Sequence, residues 1–256
     1  MQDSINNCDI VVVGAGLFGS VIAEQASRDG RRVLVLEARD HIGGNCYSYD
    51  DRQTGINIHK YGPHIFHTSN DEVWKYINRF TKFNGYKHQC MSRVGKKLYS
   101  MPINLLTLNQ IWPEVNNPAT AKTKIANEII PCENPKNLEE HILSMVGPTL
   151  YEKFIKGYTK KQWGTDPVNL PASIIKRLPI RYNTNDRWYH DHDIYEGIPV
   201  NGYTPIFEKL LENITVLTET DYFENREYWD KQASKIVFSG QIQQYFNYIF
   251  GDLEYR

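Results

Sequence analysis

The chain has 256 residues, with 29 Lys plus Arg against 30 Asp plus Glu and a formal net charge of −1. That length can bury the core of one large or two modest domains, and so balanced a charge argues against a nucleic-acid or anionic-membrane partner, which would need a broad basic surface. The first residues are polar and no apolar run approaches the roughly 20 residues of a membrane span, so a soluble, cytoplasmic protein is expected. Cys8, Cys46, Cys90 and Cys132 are far apart and the eight histidines make no helical metal pattern, so free thiols and no metal site are expected.

The run Asp9-Ile-Val-Val-Val-Gly14-Ala-Gly16-Leu-Phe18-Gly19-Ser20 reads as a buried parallel strand entering a glycine-rich turn that opens a helix. In such a turn Gly14 allows the tight bend, Gly16 leaves room for a phosphate, and Gly19 lets the helix pack against its strand. Phe18 lies within the same turn, at a helix start whose free N–H groups and dipole favour an anion. The helix is expected over about Gly19 to Asp29, ending at Gly30, and a second strand, Arg32-Val-Leu-Val-Leu-Glu37, follows. Glu37 stands where a dinucleotide site places the carboxylate that accepts from the ribose hydroxyls. A purely structural glycine turn is the alternative. Next come Arg39 and Gly43-Gly44-Asn45. A second close approach of backbone to ligand is more than NAD needs and favours FAD, with an ordinary turn as the alternative.

Ile56 and Ile58 mark a short strand, and Tyr61-Gly-Pro turns the chain into His64 and His67. Two imidazoles so close to a cofactor motif are candidates for contact with a flavin ring or a substrate, whereas a lone histidine is usually structural. A helix follows from Asp71 to about Phe80, then Asn84 beside Gly85, then a short strand from Lys97 to a helix cap at Asn104. Beyond it the period becomes helical, through Leu138, Ile142 and Val146, with Asn137 and Glu140 spaced as a capping box. Gly147-Pro148 closes that helix, and Leu150, Phe154, Ile155 and Tyr158 share a face of the next. Such a helical insertion should flank the cofactor domain with Tyr158 and Trp163 facing it. The stretch Arg181 to Tyr195 is a polar loop, either a lid or disordered. The runs 205–212, 214–218 and 235–240 then read as helix, strand and strand, the last ending on Ser239-Gly240 near the ligand, and Gln244 to Arg256 is aromatic and strand-prone.

The expected fold is therefore α/β. It has a Rossmann-like FAD-binding domain with a parallel sheet (6–80 and 200–240), an inserted helical-bundle domain (104–178), and part of an antiparallel sheet domain with a mobile loop (81–103, 179–199 and 241–256).

Five segments occur in an order that closely resembles the UDP-galactopyranose mutases. They are His59-Lys-Tyr-Gly-Pro-His64-Ile-Phe-His67-Thr68, Gly157-Tyr158-Thr-Lys-Lys-Gln-Trp163-Gly164, Ile175-Lys-Arg177-Leu-Pro-Ile-Arg181, Tyr195-Glu-Gly-Ile-Pro-Val-Asn-Gly202-Tyr203 and Phe250-Gly-Asp-Leu-Glu-Tyr255-Arg256. The resemblance implies an isomerase that interconverts UDP-galactopyranose and UDP-galactofuranose for cell-surface polysaccharide. It implies FAD that is active when reduced and whose N5 forms a covalent adduct with the sugar's anomeric carbon. An external reductant such as NAD(P)H would be needed, and a homodimer is compatible with the family. Carried onto this chain, Arg181 on the mobile loop would stabilise the substrate diphosphate with its guanidinium fork. His64 and His67 would lie beside the flavin, and Asn84, Tyr158, Trp163, Tyr195 and Arg256 would hold the nucleotide sugar. The loop is longer here than in the family pattern, which leaves its register open. The family's members run on past the point where this chain stops, so residues 1–256 alone are expected to lack activity. Two alternatives stay open: a flavin oxidoreductase of the amine-oxidase or desaturase type, and a noncatalytic nucleotide-binding fragment.

Overall fold

The computed structural model describes residues 8–175, 180–189 and 192–253. It divides the chain into two compact units, Met1–Tyr86 with Asp193–Arg256, and Lys87–His192.

In the first unit, β1 (Cys8–Val13) shows no polar alternation because neighbouring residues on opposite faces, Val11 and Val12, are both fully buried. It is a central strand of a four-stranded sheet with order β10-β1-β2-β9, where β2 is Val33–Leu36, β9 is Thr215–Leu217 and β10 is Ala233–Phe238. All three pairings are parallel, and Val12 lies between Val35 and Val237. One face packs Val12 and Val35 with Ala23 of the helix Leu17–Arg28 and with Ile206, Phe207 and Leu210 of the helix Thr204–Leu210. The other face packs Val11, Leu34 and Leu36 with Tyr222 and Trp229. Strands β2 and β9 lie to one side of β1 and β10 to the other, so the order reverses at the carboxyl ends of β1 and β10. In open α/β sheets that reversal creates the crevice used for ligands.

Two antiparallel pairs complete this unit. Strand β3 (Ser48–Asp50) pairs with β4 (Asn57–His59), and β5 (Phe66–Thr68) pairs with β8 (Tyr195–Gly197), setting His67 opposite Glu196. The buried Ser48 holds the start of the Thr204–Leu210 helix: its Oγ accepts from the Tyr203 N–H at 2.8 Å, and its carbonyl accepts from the Thr204 hydroxyl at 2.6 Å.

The second unit joins a hairpin, β6 (Cys90–Val94) and β7 (Lys97–Met101), to the helices Leu105–Ile111, Pro118–Glu128, Leu138–Leu150 and Lys156–Trp163. Asn104 and Asn117 begin two of these with reciprocal capping boxes to Thr107 and Thr120, which satisfies N–H groups that a helix start leaves unpaired. Leu138, Ile142, Val146 and Leu150, one helical face, are buried with Leu108 and Ile125 in one core. The break expected at Gly147 is present. Its φ of 75° is left-handed, and a Cβ there would lie 2.4 Å from the Glu128 carbonyl oxygen, so only glycine fits.

Three expectations of local structure differ. The helix from Asp71 ends at Ile77, short of Phe80. The residues after Gln243 were expected to favour a strand, but Ile242–Tyr245 is a short helix and no described residue beyond it is in a strand, because Asn247 and Tyr248 take left-handed φ values of 50° and 57° that turn the chain. The second unit is also wider than residues 104–178. Tyr99 of the hairpin meets Phe154 edge-on at 5.1 Å, and backbone bonds from Arg181 to Ile103 and from Leu105 to Asn183 bring the following loop into the same body. Arg177 and Arg256 lie outside the described residues. Among the described residues, no helix is long and apolar enough to cross a membrane.

Candidate functional site

At the carboxyl ends of β1 and β10 is a cavity of about 360 Å³ lined by Gly14, Gly16, Glu37, Arg39, Asn45 and Ser239, among others. Backbone sterics shape it. Gly14 has φ 101°, and a Cβ there would lie 2.2 Å from Ser239 Oγ, while a Cβ at Gly19 would lie 1.9 Å from the Gly14 carbonyl oxygen. The two glycine turns abut: the Gly43 N–H donates to the Ala15 carbonyl at 2.8 Å, and a Cβ on Gly44 would meet Gly16 Cα at 3.0 Å. The second glycine pair thus closes against the first and lines the same space through Gly44. Phe18, 61% exposed, sits in the first turn of the helix, which has no side-chain cap on its free N–H groups.

Glu37 is buried, yet its carboxylate is satisfied by backbone. Oε2 accepts from the Ala15 N–H at 2.8 Å and Oε1 from the Arg39 N–H at 3.0 Å. It therefore holds the phosphate turn as well as facing the cavity, and each oxygen retains acceptor capacity for a ribose hydroxyl. Arg39 donates through Nη2 to Asn45 Oδ1 at 3.0 Å, and its guanidinium lies 4.5 Å from the centroid of the Tyr61 ring. Its Nη1 is buried and, among the described residues, has no hydrogen-bond partner. A buried, charged donor left unpaired costs free energy that a ligand oxygen would return. With the glycine cradle and the acidic strand end, this donor set suits the adenosine diphosphate part of a dinucleotide.

The other expected residues of this unit stand apart from that lining. His64 contacts the Gly62 carbonyl through Nδ1 at 2.9 Å, and its backbone N–H donates to His59 Nδ1 at 3.1 Å. Burial, followed by the neighbouring His64, lowers the pKa of His59. His67 is 3.0 Å from the buried carboxylate of Asp193. Asn84 spends its side-chain oxygen on the N–H groups of Tyr86 and Ile198 at 3.1 and 3.0 Å, so it builds a turn here. Tyr195 stacks on Trp74 with centroids 4.8 Å apart and donates to Asp71 at 2.8 Å, a bond that raises its hydroxyl pKa.

Tyr158, Trp163 and Arg181 belong to the second unit. Tyr158 is 68% exposed, and Trp163 packs on the helical core. Arg181 is half-buried and donates to the carbonyls of Asn185, Arg187 and Tyr189, at 3.3 Å for the first and 2.9 Å for the last. Its fork clasps its own loop. The residues that sequence reasoning did not single out are Tyr61 and the wall Thr220–Phe223, which follows β9 into the cavity. A tyrosine inside a histidine-rich motif and a polar turn after a short strand carry no distinctive signal.

The profile of the family described as UDP-galactopyranose mutase matches residues 153–256, and that of the NAD(P)-binding Rossmann-like domain matches residues 12–80. The dTDP-fucopyranose mutase of Escherichia coli is 39% identical over 253 residues, covering 96% of this chain and 67% of its own length. The probable UDP-galactopyranose mutase of Klebsiella pneumoniae is 40% identical over 259 residues, covering 98% and 65%. The chain thus spans about two thirds of the length of these relatives. A crystal structure of a reduced UDP-galactopyranose mutase matches with a TM-score of 0.60 at 17% identity, covering 83% of this chain and 48% of the other, a likeness of fold.

Proposed function

The chain belongs to the UDP-galactopyranose mutase family, and from that premise we propose that the protein is an FAD-dependent isomerase interconverting UDP-galactopyranose and UDP-galactofuranose. The observation that carries the cofactor half is the cavity at the strand-order reversal, with its two abutting glycine turns and the unpaired Nη1 of Arg39. There the N–H groups that open the Leu17–Arg28 helix bind the diphosphate, Glu37 accepts from the ribose, and Arg39 supplies a charged donor. When bound and reduced, FAD supplies the electron-rich ring system that the sugar rearrangement requires.

The substrate half rests on the residues that the family resemblance singles out. Arg181 is the group for the sugar-nucleotide diphosphate, and to reach it the guanidinium exchanges backbone carbonyls for phosphate oxygens, which a bidentate fork can do without losing hydrogen bonds. Tyr158 and Trp163 offer ring faces to a planar base, and Asn84, Tyr195 and Arg256 complete the nucleotide-sugar contacts. His64 and His67 sit on the flavin side, where an imidazole offers ring nitrogens for hydrogen bonding. Reduction by NAD(P)H, a cytoplasmic location, a homodimeric assembly and supply to cell-surface polysaccharide belong to the same reading.

The E. coli relative's name favours one second reading, in which a dTDP-linked fucose takes the place of UDP-galactose. The experiment is to record flavin absorbance of the purified protein, then incubate it under dithionite with UDP-galactofuranose and, separately, with dTDP-fucofuranose. Conversion of the first to the pyranose supports the proposal, and conversion of the second alone selects the other sugar. Stoichiometric consumption of an electron acceptor would instead mark an oxidoreductase, and flavin binding without turnover a noncatalytic fragment.

A further inference from the structure

Arg39 is half-buried and keeps a charged donor, Nη1, without a hydrogen-bond partner among the described residues. One amine of its guanidinium is held by Asn45 Oδ1 at 3.0 Å, and its face lies 4.5 Å from the Tyr61 centroid. Tyr61 is fixed in turn, its hydroxyl lying 2.7 Å from Nε2 of His41, a residue only 9% exposed. The His41 ring is clamped against Tyr47, with centroids 3.9 Å apart and planes at 18°. Its Nδ1 lies 3.0 Å from the Ile42 carbonyl, which can only accept. In the neutral imidazole the proton therefore resides on Nδ1, Nε2 is an acceptor, and the Tyr61 O–H donates to it. The result is a chain from a backbone carbonyl to a guanidinium, every link of which removes one rotation.

We infer that Tyr61 and His41 are positioning residues that hold the Arg39 guanidinium ready for an oxygen of the bound dinucleotide. The inference rests on the cofactor reading above and deepens it. A long arginine side chain surrenders rotamer freedom when it binds, and one already held between Asn45 and an aromatic face surrenders less. The ring contributes its face to the cation, whereas the hydroxyl only sets the ring's angle. These two contributions separate by mutation.

The test is a double-mutant cycle on the whole chain, reading FAD affinity by flavin fluorescence and ADP affinity by calorimetry, with thermal melts to confirm folding. Tyr61→Leu should weaken FAD binding by about three- to thirtyfold, the range of a cation–π contact. Tyr61→Phe and His41→Phe keep that face and should each lose no more than about fivefold, the value of one neutral hydrogen bond. In an Arg39→Met background, Tyr61→Leu should cost nothing further, because its effect passes through the arginine. Additive losses, or a Tyr61→Leu variant that binds as wild type does, overturn the inference while leaving the cofactor site standing. If the wild-type chain binds ADP but not FAD, the same cycle read with ADP decides the inference while the FAD assignment fails. If it binds neither, both fall together.

Discussion

The cofactor cavity and the Arg181 loop use charged side chains in opposite ways. At the cavity, Glu37 and Arg39 are set by backbone N–H groups, Asn45 and Tyr61, and what remains of their bonding capacity is left for a ligand. In the loop, Arg181 turns its donors onto the carbonyls of residues 185, 187 and 189. The first site is preorganised and pays little on binding, whereas the second must be opened before it can bind anything. This difference matches the tasks proposed for them. A resident cofactor rewards a rigid cradle, and a substrate that enters and leaves on every turnover rewards a clasp that can exchange partners.

The largest effect on this contrast should come from Gly19→Ala. Its Cβ would lie 1.9 Å from the Gly14 carbonyl oxygen, so strand and helix must separate. Overpacking of this kind should destabilise the chain by about 3 kcal/mol and abolish FAD binding, as urea unfolding and flavin content would show. Retained flavin at wild-type stability would mean that the cradle is far softer than its geometry indicates.

Glu37→Ala removes both the acceptor that holds the Ala15 and Arg39 N–H groups and the proposed ribose acceptor. FAD affinity should fall by roughly 10- to 150-fold, equivalent to about 1.5 to 3 kcal/mol for a charged hydrogen bond. Flavin content unchanged after dialysis would reject the role given to it.

Arg181→Ala should sharpen the other side of the comparison. With its clasp gone, amide hydrogen exchange across residues 183–189 should accelerate by about tenfold, and the proposed turnover should drop without a change in flavin content. Arg181→Lys should restore part of each, since an ammonium keeps the charge and loses the fork. A slow-exchanging loop in the alanine variant would show that the arginine does not hold it.

The smallest effect concerns alkaline pH and treats the two units alike. Tyr222 donates to Asp230 and Tyr151 to Glu139, each at 2.5 Å, one pair in each unit. Burial first and the carboxylate second push both phenol pKa values well above the ordinary 10. A folded pKa above the unfolded one favours the protonated folded state. The stabilisation is thus complete below about pH 10 and is lost as pH rises towards the folded value. Urea midpoints should decline above about pH 10, and Tyr222→Phe with Tyr151→Phe should flatten that decline. An unchanged slope would assign it to other groups.

Much of this was legible along the chain because the signals are local. The glycine spacing, the apolar run of β1, the Asn104 cap and the helical period through Leu138, Ile142 and Val146 each concern residues within a turn or two of one another. Sterics and capping act over that range, and they decide that strand, phosphate turn and helix follow in this order. The failures lie at chain reversals. Asn247 and Tyr248 turn a segment whose aromatic content reads as strand, since β propensity describes a fit to a neighbouring surface more than a backbone preference.

By itself the amino-acid sequence determined the dinucleotide motif, the two kinds of secondary structure and the family whose segments it shares. The strand ending on Ser239 near the ligand was legible in the sequence, but only the tertiary structure decided that β10 pairs with β1 itself, where the Ser239 hydroxyl reaches the Val13 carbonyl at 2.7 Å across more than 200 residues of chain. It likewise decided that Arg39 meets Tyr61 and that Arg181 meets its own loop. Those partners are chosen by packing and hydrogen-bond satisfaction in a folded body, where an arginine bonds to whichever acceptors burial brings within reach, and sequence spacing carries no record of that choice.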